Sequence, residues 1–430
     1  MKAQLLAGFS EVDITPPVGT LVAGSIEPRP SHGILDPLYI KAVVLESQGV
    51  RLAYVIMDTC YLLRSIGDQC VALACKRTGI PANHVVWACT HSHSSPITSD
   101  IFPYEGSVDP VNHTWMDTFP QKFAECVARA DVAKVPARMS RARSYQSAVC
   151  HNRRMRYKDG REINTWLLHG GEDDLQCVGA AGPIDPEINV MAFDGEDGRM
   201  LGVLFNFALH ANSRGGNRFS GDYPAVVAAR LRERFGPQVV TLYMPGACGD
   251  INPVMSWRQT GDLLAEAIIP VLEGRKPSPG SIGLGATKRE IAVPCRDFNV
   301  PQQDRIKRSQ WWPREQEVFR QNIEILRKTM KAKEITTCVH AWRIGDIGFA
   351  GLPGEAFVDW GIQLKQKSPF PWTFPVELCG DCVGYLVTKQ AWEAGGYESL
   401  LATFLMVSVR GCEMMVDNLL DMLNGLRRQG

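Results

Sequence analysis

Two histidines separated by a single residue, His91 and His93, are the first candidates for chemistry in this sequence. They follow an apolar, β-branched run at residues 84–89, which predicts a buried strand. If that strand continues through the histidines, both side chains point to the same face. Pro96, just beyond them, cannot donate to a sheet ladder. Such a pair suits a metal site or proton transfer, and it equally suits capping of a strand by hydrogen bonds to the backbone.

Other predicted strands also end in polar residues flanked by small ones, namely His210, Asp250, Asn252 and Glu355. Open α/β sheets bind ligands at the carboxyl ends of their strands, so these residues and the histidine pair are candidates for one polar site. Two histidines and a glutamate are a ligand set of catalytic zinc, which keeps one position open for water. Zinc lowers the pKa of that water and polarises a carbonyl. The alternative, that these residues never meet in space, is left open by spacing alone.

The elements that must position these residues mix hairpins with strand–helix units. Three hairpins are predicted, at 38–47 with 51–58, at 187–194 with 200–209, and at 336–344 with 346–352. Helices are predicted at 63–79, 116–134, 222–235, 258–273 and 312–332, with a final helix to about residue 426. This mixture predicts an α/β fold, with α+β as the alternative. Helices flank a mixed β-sheet core, and the metal site lies at the C-terminal ends of the strands.

No internal repeat or linker is evident in the sequence. A single catalytic domain over residues 1–430 is therefore predicted, with a lobe from about 280 to 430 as a variant of that organisation.

Composition excludes several classes of function. The 430 residues carry a formal net charge of zero and 21% charged residues, which argues against nucleic acid or an anionic membrane surface as the main partner. No apolar run reaches the roughly 18 residues of a membrane span. The first residues do not resemble a secretory signal, and the 13 cysteines are best explained as free thiols in a reducing compartment. We therefore expect a cytoplasmic protein, or a secreted or periplasmic one if a signal peptide has been removed; the oligomeric state is not predicted.

Seven motifs occur in the order found in the catalytic domain of the neutral/alkaline (non-lysosomal) ceramidase family, and the sequence resembles that family over nearly its whole length. They are DITPPVG at 13–19, THSHS at 90–94, NR at 152–153, His210, GDINP at 249–253, PGE at 353–355, and YLVT at 385–388 followed by YE at 397–398.

The resemblance implies a zinc-dependent hydrolase that cleaves a linear amide, converting an N-acyl sphingoid base to a fatty acid and an amine. The partner would be a small-molecule or lipid amide. The zinc ligands carried over from the family are His91, His210, Glu355 and Tyr385. The family also places His93 and Arg153 beside the scissile amide.

These assignments agree with the chemistry of amide hydrolysis, which needs a nucleophile, an oxyanion stabiliser and a proton for the leaving amine. Water activated on zinc would attack. Tyr385 and Arg153 would stabilise the oxyanion, and His93 would pass the proton.

Two departures from the family pattern bear on the substrate. Ceramide-cleaving members carry a serine where this sequence has Asn252, whose amide can donate to an oxyanion but cannot act as a covalent nucleophile. The C-terminal β-sandwich domain usual in ceramidases is expected to be absent. A metal hydrolase for a different small amide or ester, and an inactive binding protein on the same fold, therefore remain as alternatives.

Overall fold

The structure is a computed structural model that describes residues 5–24, 29–101, 108–168, 171–213, 216–278, 282–297, 313–329, 332–400 and 406–429. The described strands are β1 (Leu6–Asp13), β2 (Leu21–Val22), β3 (Arg29–Pro30), β4 (Gly33–Ile34), β5 (Tyr39–Ser47), β6 (Val50–Met57), β7 (Val85–Cys89), β8 (Val135–Tyr145), β9 (Cys150–Asn152), β10 (Arg154–Tyr157), β11 (Glu162–Asn164), β12 (Cys177–Ala180), β13 (Glu187–Gly195), β14 (Met200–Phe207), β15 (Arg218–Phe219), β16 (Val240–Pro245), β17 (Ile251–Pro253), β18 (Leu284–Pro294), β19 (Glu334–Ile344), β20 (Ile347–Gly351), β21 (Glu355–Ala356), β22 (Trp372–Val376) and β23 (Tyr385–Leu386).

The described helices are α1 (Arg64–Thr78), α2 (His113–Met116), α3 (Phe119–Val132), α4 (Asp222–Phe235), α5 (Trp257–Glu273), α6 (Pro313–Thr329), α7 (Val358–Lys367), α8 (Lys389–Ala394), α9 (Tyr397–Leu400) and α10 (Val409–Arg428). None of these helices combines the length and the apolar character that crossing a membrane requires.

Two mixed sheets pack face to face. The larger has the order β16-β14-β13-β8-β1-β5-β6-β7, and the smaller has the order β18-β19-β20-β22. Their shared core contains Trp342, whose ring stacks on Phe349 at 4.9 Å and on Tyr54 of the larger sheet at 5.9 Å. Because aromatic rings bury a large apolar area, this contact ties the two sheets together.

Helices cover both outer faces and complete four layers. Helices α1 and α3 pack on one half of the larger sheet, α4 and α5 on the other half, and α7 and α10 on the smaller sheet. In α10, buried Cys412, Met415, Leu419 and Leu426 recur at helical spacing, and the Ser408 side chain accepts a hydrogen bond from the Gly411 amide at the start of the helix. The predicted mixed sheet with flanking helices is confirmed.

One unit occurs three times in this architecture: an antiparallel hairpin, a helix, and a third strand parallel to the second strand of the hairpin. It is formed by β5-β6-α1-β7, by β13-β14-α4-β16 and by β19-β20-α7-β22. Each unit leads into one candidate ligand. His91 follows β7, His210 follows β14, and Glu355 follows β20. The units therefore bring residues that are distant in sequence to one end of the two-sheet core.

The buried His340 of β19 makes stability depend on pH. Burial and, to a smaller extent, the positive charge of the nearby Lys288 lower the pKa of its imidazole from 6.5 to about 3. Between these two pKa values the unfolded chain binds one more proton than the folded chain. The stability present above pH 6.5 is therefore lost as the pH falls, by about 1.4 kcal/mol per pH unit.

We expect the variant His340→Gln to lose this component of the pH dependence. Urea unfolding of wild type and variant at pH 7.5, 6.5 and 5.5 measures it, with the exposed His113→Gln as the matched control. A His340→Gln variant with the same slope as wild type between pH 6.5 and 5.5 would contradict the assignment.

Candidate active site and metal centre

His91 is held in an unusual backbone conformation. Strand β7 ends at Cys89 and does not extend through the histidine pair, and His91 has a φ of 61°. A non-glycine residue in this left-handed region costs of order 1 kcal/mol or more, so its surroundings must hold it there. The His91 amide donates to the Thr59 carbonyl at 3.1 Å, and Nδ1 donates to the Cys60 carbonyl at 2.7 Å. The lone pair of a neutral His91 ring therefore lies at Nε2.

His210 is oriented in the same way. It is completely buried after β14, and its Nδ1 donates to the Cys248 carbonyl at 2.7 Å. Burial lowers the pKa of this imidazole to about 4, and the positive charge of Arg153 contributes to the shift. His210 is therefore neutral at pH 7 and presents a lone pair at Nε2, as His91 does when its ring is neutral.

Glu355 completes the group. Its Oε2 lies 3.3 Å from Nε2 of His91 and 3.3 Å from Nε2 of His210, and this oxygen accepts no hydrogen bond from the described part of the chain. Burial raises the pKa of this carboxyl, but His91 and His210 lower it more strongly, and the net pKa lies well below its usual value. An ionised, buried carboxylate without a donor is costly unless a cation compensates it.

The geometry of these three residues fits a zinc ion. Their ligand atoms lie within 4.8 Å of one another. Ligand atoms at the usual zinc distances of about 2.0–2.1 Å in a tetrahedral site are roughly 3.3 Å apart, close to the two separations observed here. Burial lowers the pKa of His91, but Cys60 and Glu355 raise it, and the net pKa lies well above its usual value. The pocket thus favours a positive charge next to Glu355.

Tyr385, the fourth predicted ligand, lies directly beside Glu355. Strands β21 and β23 are parallel, and their register pairs these two residues. The buried Tyr385 hydroxyl accepts a hydrogen bond from Nη2 of Arg153 at 3.1 Å. Burial and the charge of Glu355 raise the pKa of the phenol well above its usual value, so the hydroxyl carries its proton at pH 7.

Arg153 lies at the centre of the site, with its guanidinium buried. Nη1 lies 3.2 Å from Nε2 of His210 and donates to Oδ1 of Asn252 at 3.1 Å. Nε donates to Oε1 of Glu398 at 2.8 Å. The rings of Trp166, Tyr385 and Tyr397 surround the guanidinium at 5.2, 5.6 and 5.7 Å. Arg153 is thereby fixed beside the candidate ligands.

Glu398 fixes two arginines at once. It is completely buried and forms ion pairs with Arg153 and with its neighbour Arg154. Asn164 donates to Oε1 at 2.8 Å, and Glu162 pairs with the far side of Arg154 at 2.7 Å. Arg156 also pairs with Glu162, at 3.2 Å, so the network contains three guanidinium groups and two carboxylates. The motif that contains Glu398 was noted in the sequence, but its partners could not be predicted, since they come from distant strands.

His93 connects the candidate ligands to a cavity. Its Nε2 lies 3.2 Å from Nε2 of His91, and the half-buried ring lines a cavity of about 300 Å³ together with Arg29, Asn212 and Asn217. Gly24 packs so closely on this ring that a β-carbon would lie 2.3 Å from Nδ1. Burial and the neighbouring histidines lower the pKa of His93 well below its usual value, so the ring is neutral at pH 7.

Asn252 shares this environment. Its Oδ1 accepts from Arg153 and, at 3.4 Å, from Nδ2 of Asn212. These contacts orient the Asn252 amide so that its NH₂ group is the remaining donor. The structure thus brings all seven predicted site residues into one region, and each of them contacts at least one other. They are His91, His93, Arg153, His210, Asn252, Glu355 and Tyr385.

Three further buried residues support the site, of which Asp250 was already a candidate from the sequence. Oε2 of Glu377 accepts from the amides of Cys248 and Ala356, at 2.9 and 3.1 Å, and so joins the segment that orients His210 to the segment that carries Glu355. Burial raises the pKa of Glu377 to about 8. Asp250 accepts from the side chain of Asn152 and from the Val358 amide, at 2.7 and 2.8 Å, and burial raises its pKa to about 7. The third residue, Cys60, supplies the carbonyl that orients His91.

Solved structures define the class of fold to which this site belongs. All of the chain aligns with 75% of the crystal structure of neutral ceramidase from Pseudomonas aeruginosa, with a TM-score of 0.75 and 16% sequence identity. A structure of ceramidase complexed with C2 also aligns with the chain, with a TM-score of 0.72 and 16% sequence identity. The alignment covers 99% of this chain and 76% of the ceramidase chain. The chain therefore has the fold of the ceramidases.

Sequence comparison points to the same relative. The chain is 27% identical to neutral ceramidase of Pseudomonas aeruginosa over 214 residues, which are 48% of the chain and span 30% of the relative's length. No protein-family model matches the chain. The predicted resemblance to the catalytic domain of neutral ceramidase is confirmed, in sequence over about half of the chain and in fold over all of it.

We expect the protein to bind about one zinc per chain and to lose it when either histidine or the carboxylate is removed, since each of the three provides one ligand atom. Metal analysis after dialysis against trace zinc measures this for wild type, His210→Ala and Glu355→Gln. His113→Ala removes an exposed histidine and is the matched control. Undiminished zinc in Glu355→Gln would contradict the site.

We expect Glu398→Ala to destabilise the fold by about 3–5 kcal/mol, because it leaves two buried arginines without their shared carboxylate. Urea unfolding at pH 7 measures the change. The matched control is Glu393→Ala, which removes a mostly exposed carboxylate that lies 3.9 Å from Lys389 and should cost no more than about 1 kcal/mol. Equal effects of the two substitutions would show that the network does not stabilise the fold.

Proposed function

We propose that this protein is a zinc-dependent hydrolase that cleaves a linear amide bond, as a ceramidase does. The observation that carries the proposal is the buried Oε2 of Glu355, which lies 3.3 Å from two imidazole nitrogens and accepts no hydrogen bond from the described residues. His91, His210 and Glu355 would hold the zinc, with Tyr385 as the fourth ligand implied by the ceramidase resemblance. Zinc, when bound, acidifies water and polarises a carbonyl oxygen.

His93 supplies the proton transfers. Hydrolysis adds water across the C–N bond, so one proton must leave the water and one must reach the departing amine. The neutral imidazole lies between the candidate ligands and the 300 Å³ cavity, where it accepts the first proton and returns it to the amine nitrogen.

Arg153 and Asn252 stabilise the negative charge that develops on the carbonyl oxygen. The guanidinium is held in place by Glu398, so it needs no reorganisation during the reaction. The Asn252 amide, oriented by its contact with Arg153, adds a neutral donor. Asparagine cannot form an acyl-enzyme, which favours direct attack by water.

An N-acyl sphingoid base is the proposed substrate class, on the strength of the relatives named above. The specific observation that favours a second candidate is Asn252, at a position where the ceramidase resemblance implies a serine. Asn252 contacts Asn212, which lines the cavity together with Asn217, so the cavity wall has two carboxamides. This wall also suits a smaller polar amide or an ester.

A substrate panel tests the proposal with the zinc-loaded protein. The panel contains N-acyl sphingosines of short and long acyl length, N-acyl derivatives of small amines with the same acyl groups, and the matching esters. We expect release of fatty acid from amides, and about 100-fold lower kcat in His93→Gln with unchanged zinc content.

The outcomes separate the candidates. Cleavage of small amides or esters without cleavage of N-acyl sphingosines would favour the second candidate. A fully zinc-loaded protein that cleaves no member of the panel would contradict the hydrolase and favour a binding protein. Loss of zinc from His93→Gln would assign this residue to the metal instead of to proton transfer.

A further inference from the structure

Cys60 approaches the site from behind His91, and the proposed reaction makes no use of its thiol. The residue follows β6, is buried, and contacts His91 through two atoms. Its carbonyl accepts from Nδ1 of His91 at 2.7 Å, and its Sγ lies 3.6 Å from the same nitrogen. The ligand atoms that Cys60, His91 and His93 can offer lie within 4.8 Å of one another.

We propose that Cys60, His91 and His93 form a second, sulfur-containing metal site that takes soft ions such as Cd²⁺ or Cu⁺. A thiolate and two imidazoles are soft to intermediate ligands, whereas the set of His91, His210 and Glu355 includes a hard carboxylate oxygen. Binding replaces the Sγ–H bond with an Sγ–metal bond and releases the thiol proton to solvent.

The two sites exclude each other because they share His91. In the described part of the chain, these are the two groups of three or more potential ligands that lie close enough to hold one ion. An ion in the sulfur-containing site removes one ligand from the other set. It also engages His93, the ring that lines the cavity. Binding of one soft metal ion would therefore both displace zinc and block the cavity.

This inference goes beyond the proposed function and does not require amidase activity, because its readouts are metal binding and a spectrum. The competing explanation is that Cys60 only packs against His91, with Sγ as a weak hydrogen-bond partner of Nδ1. Packing alone predicts no metal–sulfur bond at this position.

Titration of the metal-free, full-length protein with Cd²⁺ under reducing conditions tests the proposal. We expect an ultraviolet thiolate-to-cadmium charge-transfer band that saturates at about one equivalent, and one equivalent of Zn²⁺ added first should weaken it. Cys60→Ser should abolish the band while still binding zinc. His93→Ala should raise the Kd for Cd²⁺ by about tenfold or more, since even outer-shell changes cost that much.

The matched control is Cys126→Ser, which removes a buried thiol that hydrogen-bonds to the Ile40 carbonyl at 3.3 Å and belongs to neither group of potential metal ligands. The band should persist in this variant. A parent protein without the band, or a band that persists in Cys60→Ser, would overturn the proposal. So would loss of the band in Cys126→Ser, because the thiolate would then lie elsewhere. The zinc content of Cys60→Ser separates failure of this site from failure of the proposed zinc centre.

Discussion

A buried carboxylate oxygen that accepts no hydrogen bond from the described residues is the constraint on which this structure depends. This oxygen, Oε2 of Glu355, lies 3.3 Å from Nε2 of both His91 and His210. Such an arrangement opposes folding unless a cation enters it. The backbone carbonyls that orient His91 and His210, and the Glu377 carboxyl that joins two of the contributing segments, all serve to hold this arrangement.

The second organising feature is a positive charge beside the candidate metal ligands. The guanidinium of Arg153 lies 3.2 Å from the His210 imidazole and would weaken the binding of a cation if it could move between His91, His210 and Glu355. Glu398 prevents this by holding Nε of Arg153 from the opposite side, and three aromatic rings restrict the guanidinium plane. Arg153 is thus held in place by partners other than the carboxylate of Glu355.

The sequence predicted the elements whose signals are local. The hairpin predicted at 38–47 and 51–58 corresponds to strands Tyr39–Ser47 and Val50–Met57 of the structure. The helix predicted at 63–79 corresponds to Arg64–Thr78. Prediction from the sequence failed where long-range contacts determine the structure. The polar stretch 156–186 was not assigned to any predicted element, yet its short strands β11 and β12 pair with β10 in a small sheet. The left-handed backbone of His91 is imposed by Thr59 and Cys60, and no local signal marks it. The recurring hairpin–helix unit also escaped notice, because buried positions tolerate many apolar side chains of similar volume.

The three recurring units follow one another along the chain, so the candidate metal ligands are synthesised in a fixed order. During vectorial synthesis His91 leaves the ribosome long before His210, and His210 long before Glu355, so an early chain can offer a metal only scattered donors. The carboxylate arrives last, with the unit that builds the smaller sheet. If His91, His210 and Glu355 hold a metal, only a chain in which all three units have docked can bind it with the complete set of ligands.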